Sequence, residues 1–364
     1  MAFYAILFGM RTGVANLPLH GGRAPRWLFD KMVELSKQLV YLLVLEYSTD
    51  GFLERLSDPF WFQSFGCLLG FDWHSSGLTT TVCGALKVAL RDMSNELGLF
   101  VAGGKGKVAL NTPQEIDTVS DRFSLDGDRL KYASRMAAKV DNAAVQDGYR
   151  LYHHVMFFSR DNKWCIIQQG LNEKNSFARR YHWLWDIEGF TLKPHRAICS
   201  PTRERLVLDL TAQESLSTQN HSVEFVNMPP NSIESELERI ACLNMPRRHY
   251  ITKMDFDVKR LKKTLLKVSS SSPDTFEGLL GIKGVGEKTL RALSLISEVV
   301  YGDKPSFKDP ARFSFAHGGK DGHPYPVDLR TYSESIETLK SIVSKARIGH
   351  YDKLRALKRL NRLI

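Results

Sequence analysis

With 364 residues, 43% of them hydrophobic and 25% charged, the chain has the balance of a soluble globular protein and the length for two or three domains with cores of their own. No run of about 18 apolar residues occurs, which excludes a membrane span. Five dispersed cysteines without a C-x-x-C pair exclude a zinc ribbon or an iron–sulfur loop and fit a reducing, cytoplasmic setting. The net charge of +10 lies at one end: residues 251–364 hold 22 Lys and Arg against 13 Asp and Glu, and the first 250 hold 28 against 27. A basic C-terminal third suits a polyanion, although a solvated basic face has the same composition.

The first ten residues are apolar but lack a basic leader and a small-residue cleavage site, so export is not expected, and Met10 is an alternative start. Residues 11–125 form a first, mainly helical part. After a loop at His20-Gly21-Gly22, a helix has Pro25 near its first turn and apolar positions through Leu45. A second is predicted from Pro59 to about Leu69, and a third over 79–96. A short strand at 97–102 runs into Gly103-Gly104-Lys105-Gly106-Lys107. Val108 and then Pro113 replace the Ser or Thr and helix of a nucleotide-binding P-loop, so only a phosphate contact by its amides and lysines is left open.

Residues 126–250 form a second, α+β part. A helix is predicted over 129–145, then strands at 150–159 and 164–169 joined as a β-hairpin by Arg160-Asp161-Asn162-Lys163. The segment 170–230 is polar and irregular, with a short strand at 205–210. Pro229-Pro230 marks a boundary, and Ser232 or Ser235 suits the cap of the next helix. The third part, 251–364, is helical, with a serine-rich connector at 269–273. The expected fold class is therefore α+β: a helix-rich, multi-domain chain with a small β-hairpin or sheet.

The clearest motif is Phe276-Glu277-Gly278-Leu279-Leu280-Gly281-Ile282-Lys283-Gly284-Val285-Gly286-Glu287-Lys288-Thr289. An apolar helix end meets Gly-x-x-Gly-x-Gly and then a new helix. The glycines permit a tight turn and a close partner, and the helix start offers unpaired N–H groups and a positive dipole end to a phosphate. Lys283 and Lys288 add charge without base specificity. A Rossmann turn would need a preceding strand, which is lacking here. The segment 275–300 resembles the helix–hairpin–helix of DNA repair proteins. The resemblance implies duplex DNA as partner, with Gly281, Lys283, Gly284, Gly286, Lys288 and Thr289 at the contact.

Other segments extend the likeness: Leu19-His20-Gly21-Gly22, Lys139-Val140-Asp141, Tyr152-His153-His154, Ile167-Gln168-Gln169-Gly170, Ala178-Arg179-Arg180-Tyr181-His182-Trp183 and Phe315-Ala316-His317-Gly318-Gly319-Lys320. Together they resemble a largely archaeal family, formerly of unknown function, of glycosylase/lyases acting on 5-hydroxyuracil and abasic sites in DNA. The resemblance implies a monomeric base-excision repair enzyme, nucleoid-associated in the cytoplasm, without cofactor, metal or membrane partner. By the pattern of helix–hairpin–helix glycosylases it also implies Lys288 as an alternative nucleophile and Asp309 as an alternative carboxylate.

Such chemistry needs an amine to attack C1′ of the sugar and a carboxylate to stabilise positive charge there. Lys139, after apolar Met136-Ala137-Ala138, and nearby Asp141 are the candidate pair by surroundings. Two residues apart on one helix they would diverge, so the pair requires a helix break near Val140; a surface lysine and an N-cap aspartate fit equally. His153 and His154 face opposite sides of a strand, leaving one as a candidate acid or base. One of Gln168 and Gln169 is a candidate reader of a flipped pyrimidine. Arg179 and Arg180, mixed with rings, suit phosphate contact, or else edge an aromatic core. The competing readings are a non-catalytic DNA-structure binder and a metal-dependent nuclease using Asp255 and Asp257.

Overall fold

The computed structural model describes residues 26–70, 77–200, 203–241, 258–311, 329–346 and 349–361. The chain is a helix-rich α+β protein. It opens with helices α1 (Arg26–Ser57), α2 (Pro59–Leu69), α3 (Gly77–Arg91) and the short α4 (Ser94–Leu97), then strand β1 (Leu99–Lys105). Asp58 sets the start of α2: its carboxylate accepts from the Trp61 N–H at 2.7 Å, and Pro59 takes the first position, where no N–H is needed. A 3-10 turn at Gly106–Asn111 replaces the P-loop helix, and α5 (Thr112–Phe123) and α6 (Gly127–Lys139) follow.

At Val140–Ala144 the α-helix passes into a π-turn. Strands β2 (Val145–Gln146), β3 (Arg150–Ser159), β4 (Trp164–Asn172), β5 (Phe177–Leu184), β6 (Ala197–Cys199) and β7 (Leu208–Asp209) come next. The chain ends in helices α7 (Leu216–Val226), α8 (Pro230–Ala241), α9 (Val258–Ser269), α10 (Phe276–Gly281), α11 (Glu287–Tyr301), α12 (Leu329–Lys345) and α13 (His350–Asn361).

The main sheet is antiparallel, in the order β1-β3-β4-β5-β6, while β2 pairs only with β7. One row of the register runs Lys105, His153, Gln169, Arg180, Cys199; the next runs Gly104, His154, Gln168, Tyr181, Ile198. Gly103 lets β1 come this close to β3: its φ is +95°, and a β-carbon there would lie 2.3 Å from the His154 carbonyl oxygen.

Period-two alternation divides the sheet between two apolar clusters. Met156, Phe158, Ile166, Tyr181 and Trp183 join α6 and the helices from α7 to α11. Val155, Phe157, Cys165, Ile167 and Leu184 join α1, α2 and α3, together with Leu339, Ile342 and Val343 of α12. The cores therefore do not follow the three parts expected at 11–125, 126–250 and 251–364. β1 comes from the first part, the sheet serves both clusters, and α12 returns to pack on the N-terminal helices. No helix among the described residues is long and apolar enough to cross a membrane.

A candidate DNA interface and cleft

The turn at 282–286 has an outer and an inner side. Thr275 caps α10 by accepting from the Gly278 N–H at 3.0 Å, and α11 starts beyond Gly286. Val285 is buried and Ile282 packs on the core, which turns Lys283, Gly284 and Lys288 outward; Thr289 faces in. Gly284 has φ +104°, and β-carbons at Gly281, Gly284 or Gly286 would meet nothing within 4 Å. The main chain here is thus open to a close partner.

On the inner side, the Lys139 ammonium donates to the carbonyls of Leu280 (2.6 Å), Ile282 (2.7 Å) and Val285 (3.1 Å). Burial and the neighbouring Arg135 push this amine down, whereas three carbonyl acceptors favour its protonated form. All three of its N–H donors are used. A neutral amine here would turn its lone pair toward one of those oxygens. Lys139 accordingly anchors the turn and is not brought to Asp141.

Asp141, fully buried in the π-turn, gathers a different set. Its Oδ2 accepts from Gln168 Nε2 (2.5 Å) and Trp183 Nε1 (3.0 Å), and its Oδ1 from His195 Nε2 (2.5 Å). The carboxylate fixes every proton in the chain of bonds. Gln168 must turn its NH₂ to Asp141, so its Oε1 accepts from His154 Nδ1 at 2.8 Å. Burial lowers the His154 pKa, so the ring is neutral and its Nε2 accepts from the Ser134 hydroxyl at 2.8 Å. Gln168 has no amide edge left to read a base. At the other end the Nδ1 of His195 makes no hydrogen bond among the described residues.

His153 lies on the opposite face, as strand alternation requires, between Lys105 and Gln169. It is buried, both ring nitrogens lack a partner, and burial first, then His154 and Lys105, takes its pKa to about 3. It is a neutral imidazole remote from Asp141.

Arg179 and Arg180 correct the expectation of a DNA surface. Both are fully buried, on opposite faces of a sheet covered on both sides. Arg180 donates from Nε to His182 Nε2 (2.8 Å) and from Nη1 to Gln63 Oε1 (3.0 Å). Arg179 grips Asp309 with two parallel bonds (3.0 and 2.7 Å) and Asp147 with one (2.9 Å). The Asp309 oxygens also accept from the Glu204 and Ala311 N–H groups at 2.7 and 2.9 Å. Asp309 is thereby committed to fastening its segment to β5.

One guanidinium between two carboxylates leaves a net negative charge. Burial outweighs Asp147's share of that cation and raises its pKa to about 6, while Arg179 is held firmly protonated. Tyr181 also donates to Asp147, at 2.7 Å.

Of these groups His195 and Asp309 reach a cleft of about 210 Å³, which Asp209, Lys193, Lys308 and Thr211 also line. Asp209 Oδ1 accepts from the N–H and the hydroxyl of Thr211 at 2.9 and 2.6 Å, leaving Oδ2 without a hydrogen bond among the described residues. Burial raises the Asp209 pKa, against the lowering by the Thr211 bonds. The arrangement offers an oriented imidazole, a carboxylate and amines in one concavity. No group of three or more His, Cys, Asp or Glu suited to a metal ion occurs among the described residues.

The cleft and the glycine turn are structurally joined. Asp209 sits in β7, which pairs with β2, and Gln146 of β2 accepts from Arg291 Nε at 2.7 Å and donates to the Glu287 carbonyl at 2.9 Å. Sequence reasoning missed His195, Asp209 and Lys193 because 170–230 carries no clear periodicity. The usable signal was Asp141, a carboxylate in an apolar segment that had to find donors. The motifs at His20, at His317 and at Asp255-Phe256-Asp257 lie outside the described residues.

A family model described as "Protein of unknown function (DUF763)" matches residues 13–327. Neither the curated proteins nor the solved structures hold a match to the chain.

Proposed function

The chain belongs to the DUF763 family of proteins of unknown function, and we propose that it is a DNA base-excision repair enzyme, a glycosylase with abasic-site lyase activity that removes an oxidised pyrimidine of the 5-hydroxyuracil type from duplex DNA. The observation that carries this reading is the short segment 139–146. It anchors an exposed glycine turn at one end and, through Asp141 and the β2–β7 pair, builds the His195–Asp209 cleft at the other. A protein that only grips DNA would have no need of an oriented imidazole in one cleft with a carboxylate oxygen that makes no hydrogen bond among the described residues.

The turn holds one strand by its amides, with Lys283 and Lys288 supplying charge. The damaged nucleotide leaves the stack and enters the cleft. Asp209 Oδ2 stabilises the positive charge that builds on the sugar as the C1′–N bond breaks. A lysine amine bonds to C1′, the C1′–O4′ bond opens with its pair and a proton going to O4′ to leave a C1′=N Schiff base, and His195 Nδ1 takes the C2′ proton. The C3′–O electron pair then departs with the phosphate, cutting the strand. Asp141 keeps the His195 proton on Nε2 so that Nδ1 stays the base.

The test is a duplex carrying one 5-hydroxyuracil or one abasic site, incubated with the protein in EDTA. Expected are strand cleavage and a borohydride-trapped covalent adduct. Cleavage abolished by EDTA would point instead to the metal-dependent nuclease, and binding without cleavage to the structural binder.

A further inference from the structure

Two lysines line the cleft. The Lys308 ammonium stands 3.5 Å from Glu214, with 84% of its side chain exposed. The Lys193 side chain is exposed too, but its backbone is held. Its φ is +45°, a left-handed conformation uncommon for a lysine and kept only where surroundings enforce it. The enforcement is visible: the Lys193 N–H donates to the Thr211 carbonyl at 2.9 Å, and buried Pro194 follows. Thr211 also clamps Asp209 through its own N–H and hydroxyl. One residue therefore fixes the backbone of an amine and the side chain of a carboxylate, with His195 two positions on. The Lys193 amine itself makes no hydrogen bond or ion pair among the described residues. By contrast Lys139 is consumed by three carbonyls, and Lys288 lies on α11 at the turn rather than in the cleft.

Resting on the reading of this cleft as a DNA-cutting site, we infer that Lys193 is the amine that bonds to C1′. On a damaged nucleotide, the Nζ lone pair forms the C1′–N bond as the base departs with the glycosidic pair and takes up a proton. The sugar ring then opens: the C1′–O4′ pair stays on O4′, which takes up a proton, and the nitrogen lone pair makes the link C=N. On an abasic aldehyde, Nζ adds to the carbonyl carbon and water leaves, giving the same C=N link. The proton that Lys193 sheds has acceptors in Asp209 and His195, both lining the cleft. After elimination, water hydrolyses the link and returns the amine.

The full-length protein is trapped on an abasic duplex with borohydride, digested, and the modified peptide sequenced by mass spectrometry. The expected product is a sugar remnant on Lys193. Lys193→Asn, which tolerates the left-handed backbone, is expected to lose trapping and incision by about 100-fold or more while keeping wild-type Tm and duplex affinity. A remnant on Lys139, Lys288 or Lys308, or undiminished trapping by Lys193→Asn, overturns the assignment but leaves the lyase reading standing. No adduct and no incision by the wild-type protein would overturn that reading, and the assignment with it.

Discussion

Lys139 and Asp141 stand two residues apart, and each holds a different part of the protein. The Lys139 ammonium ties down three carbonyls of the glycine turn, and the Asp141 carboxylate receives Gln168, Trp183 and His195. Lys139 ends α6, and Asp141 lies in the π-turn that begins at Val140. Turn and cleft are thereby set from one point of the backbone, so a displacement of α6 moves both.

Replacing Lys139 should therefore act on DNA binding before chemistry. Lys139→Met leaves the carbonyls of Leu280, Ile282 and Val285 without their shared donor. Hydrogen bonds to a charged group contribute about 1.5–3 kcal/mol, so the ordered turn is expected to lose roughly 10- to 100-fold in duplex affinity. Anisotropy titration at fixed salt measures it. Unchanged affinity together with loss of the trapped adduct would show that Lys139 is the nucleophile after all.

The outer lysines should behave otherwise. Lys283 is exposed beside Gly284, where a phosphate can reach the main chain. Its contact releases counterions, so Lys283→Ala should lower the slope of log affinity against log salt by about 1, equally for damaged and undamaged duplex. A slope unchanged from wild type would put the DNA elsewhere.

Much of this was legible in the sequence. Pro59, the 150–169 hairpin and the glycine turn carry strong local signals, since each relies on capping, alternation or backbone freedom encoded within a few residues. The helix break near Val140 was visible only as something the Lys139–Asp141 pair would need, because no glycine or proline marks it. β5 escaped because its burial on both faces leaves no clean alternation, and the same burial hid Arg179 and Arg180 in the core. The site was legible only where Asp141 and the turn supply it. His195 and Asp209 come from a segment whose order depends on distant partners, Asp141 and Ser306.

His195 and Asp141 should act as a unit. His195→Ala removes the imidazole that lines the cleft, and Asp141→Asn removes the carboxylate that receives its Nε2. Each is expected to lower single-turnover cleavage by about 10²–10⁴-fold with duplex affinity retained. The double variant should be little worse than either single one. Losses that multiply would mean that Asp141 works independently of the imidazole.

Asp309 tests anchoring against chemistry. Its oxygens take two bonds from buried Arg179 and two from main-chain N–H groups. Asp309→Asn leaves Arg179 paired with Asp147 but turns an NH₂ group toward N–H donors that the carboxylate had accepted, losing charge-assisted hydrogen bonds of about 1.5–3 kcal/mol each. A lowered midpoint in thermal unfolding is expected. Wild-type stability with abolished cleavage would return Asp309 to the reaction itself.

Asp147 makes stability depend on pH in a direction set by its raised pKa. Burial lifts it from 3.8 to about 6, against the pull of Arg179. A carboxyl whose folded pKa exceeds its unfolded one contributes stability that is complete below the unfolded value and is lost as pH rises through the folded value. Between about pH 4 and pH 6 the wild-type protein therefore gives up this contribution progressively. Asp147→Asn, which imitates the protonated acid and can still accept from Tyr181, does not. The difference in Tm, variant minus wild type, is expected to climb from pH 4.5 to pH 7 and then level off, as read by thermal denaturation across that range. A difference that stays flat would mean that Asp147 remains ionised throughout, with Arg179 shared evenly between the two carboxylates.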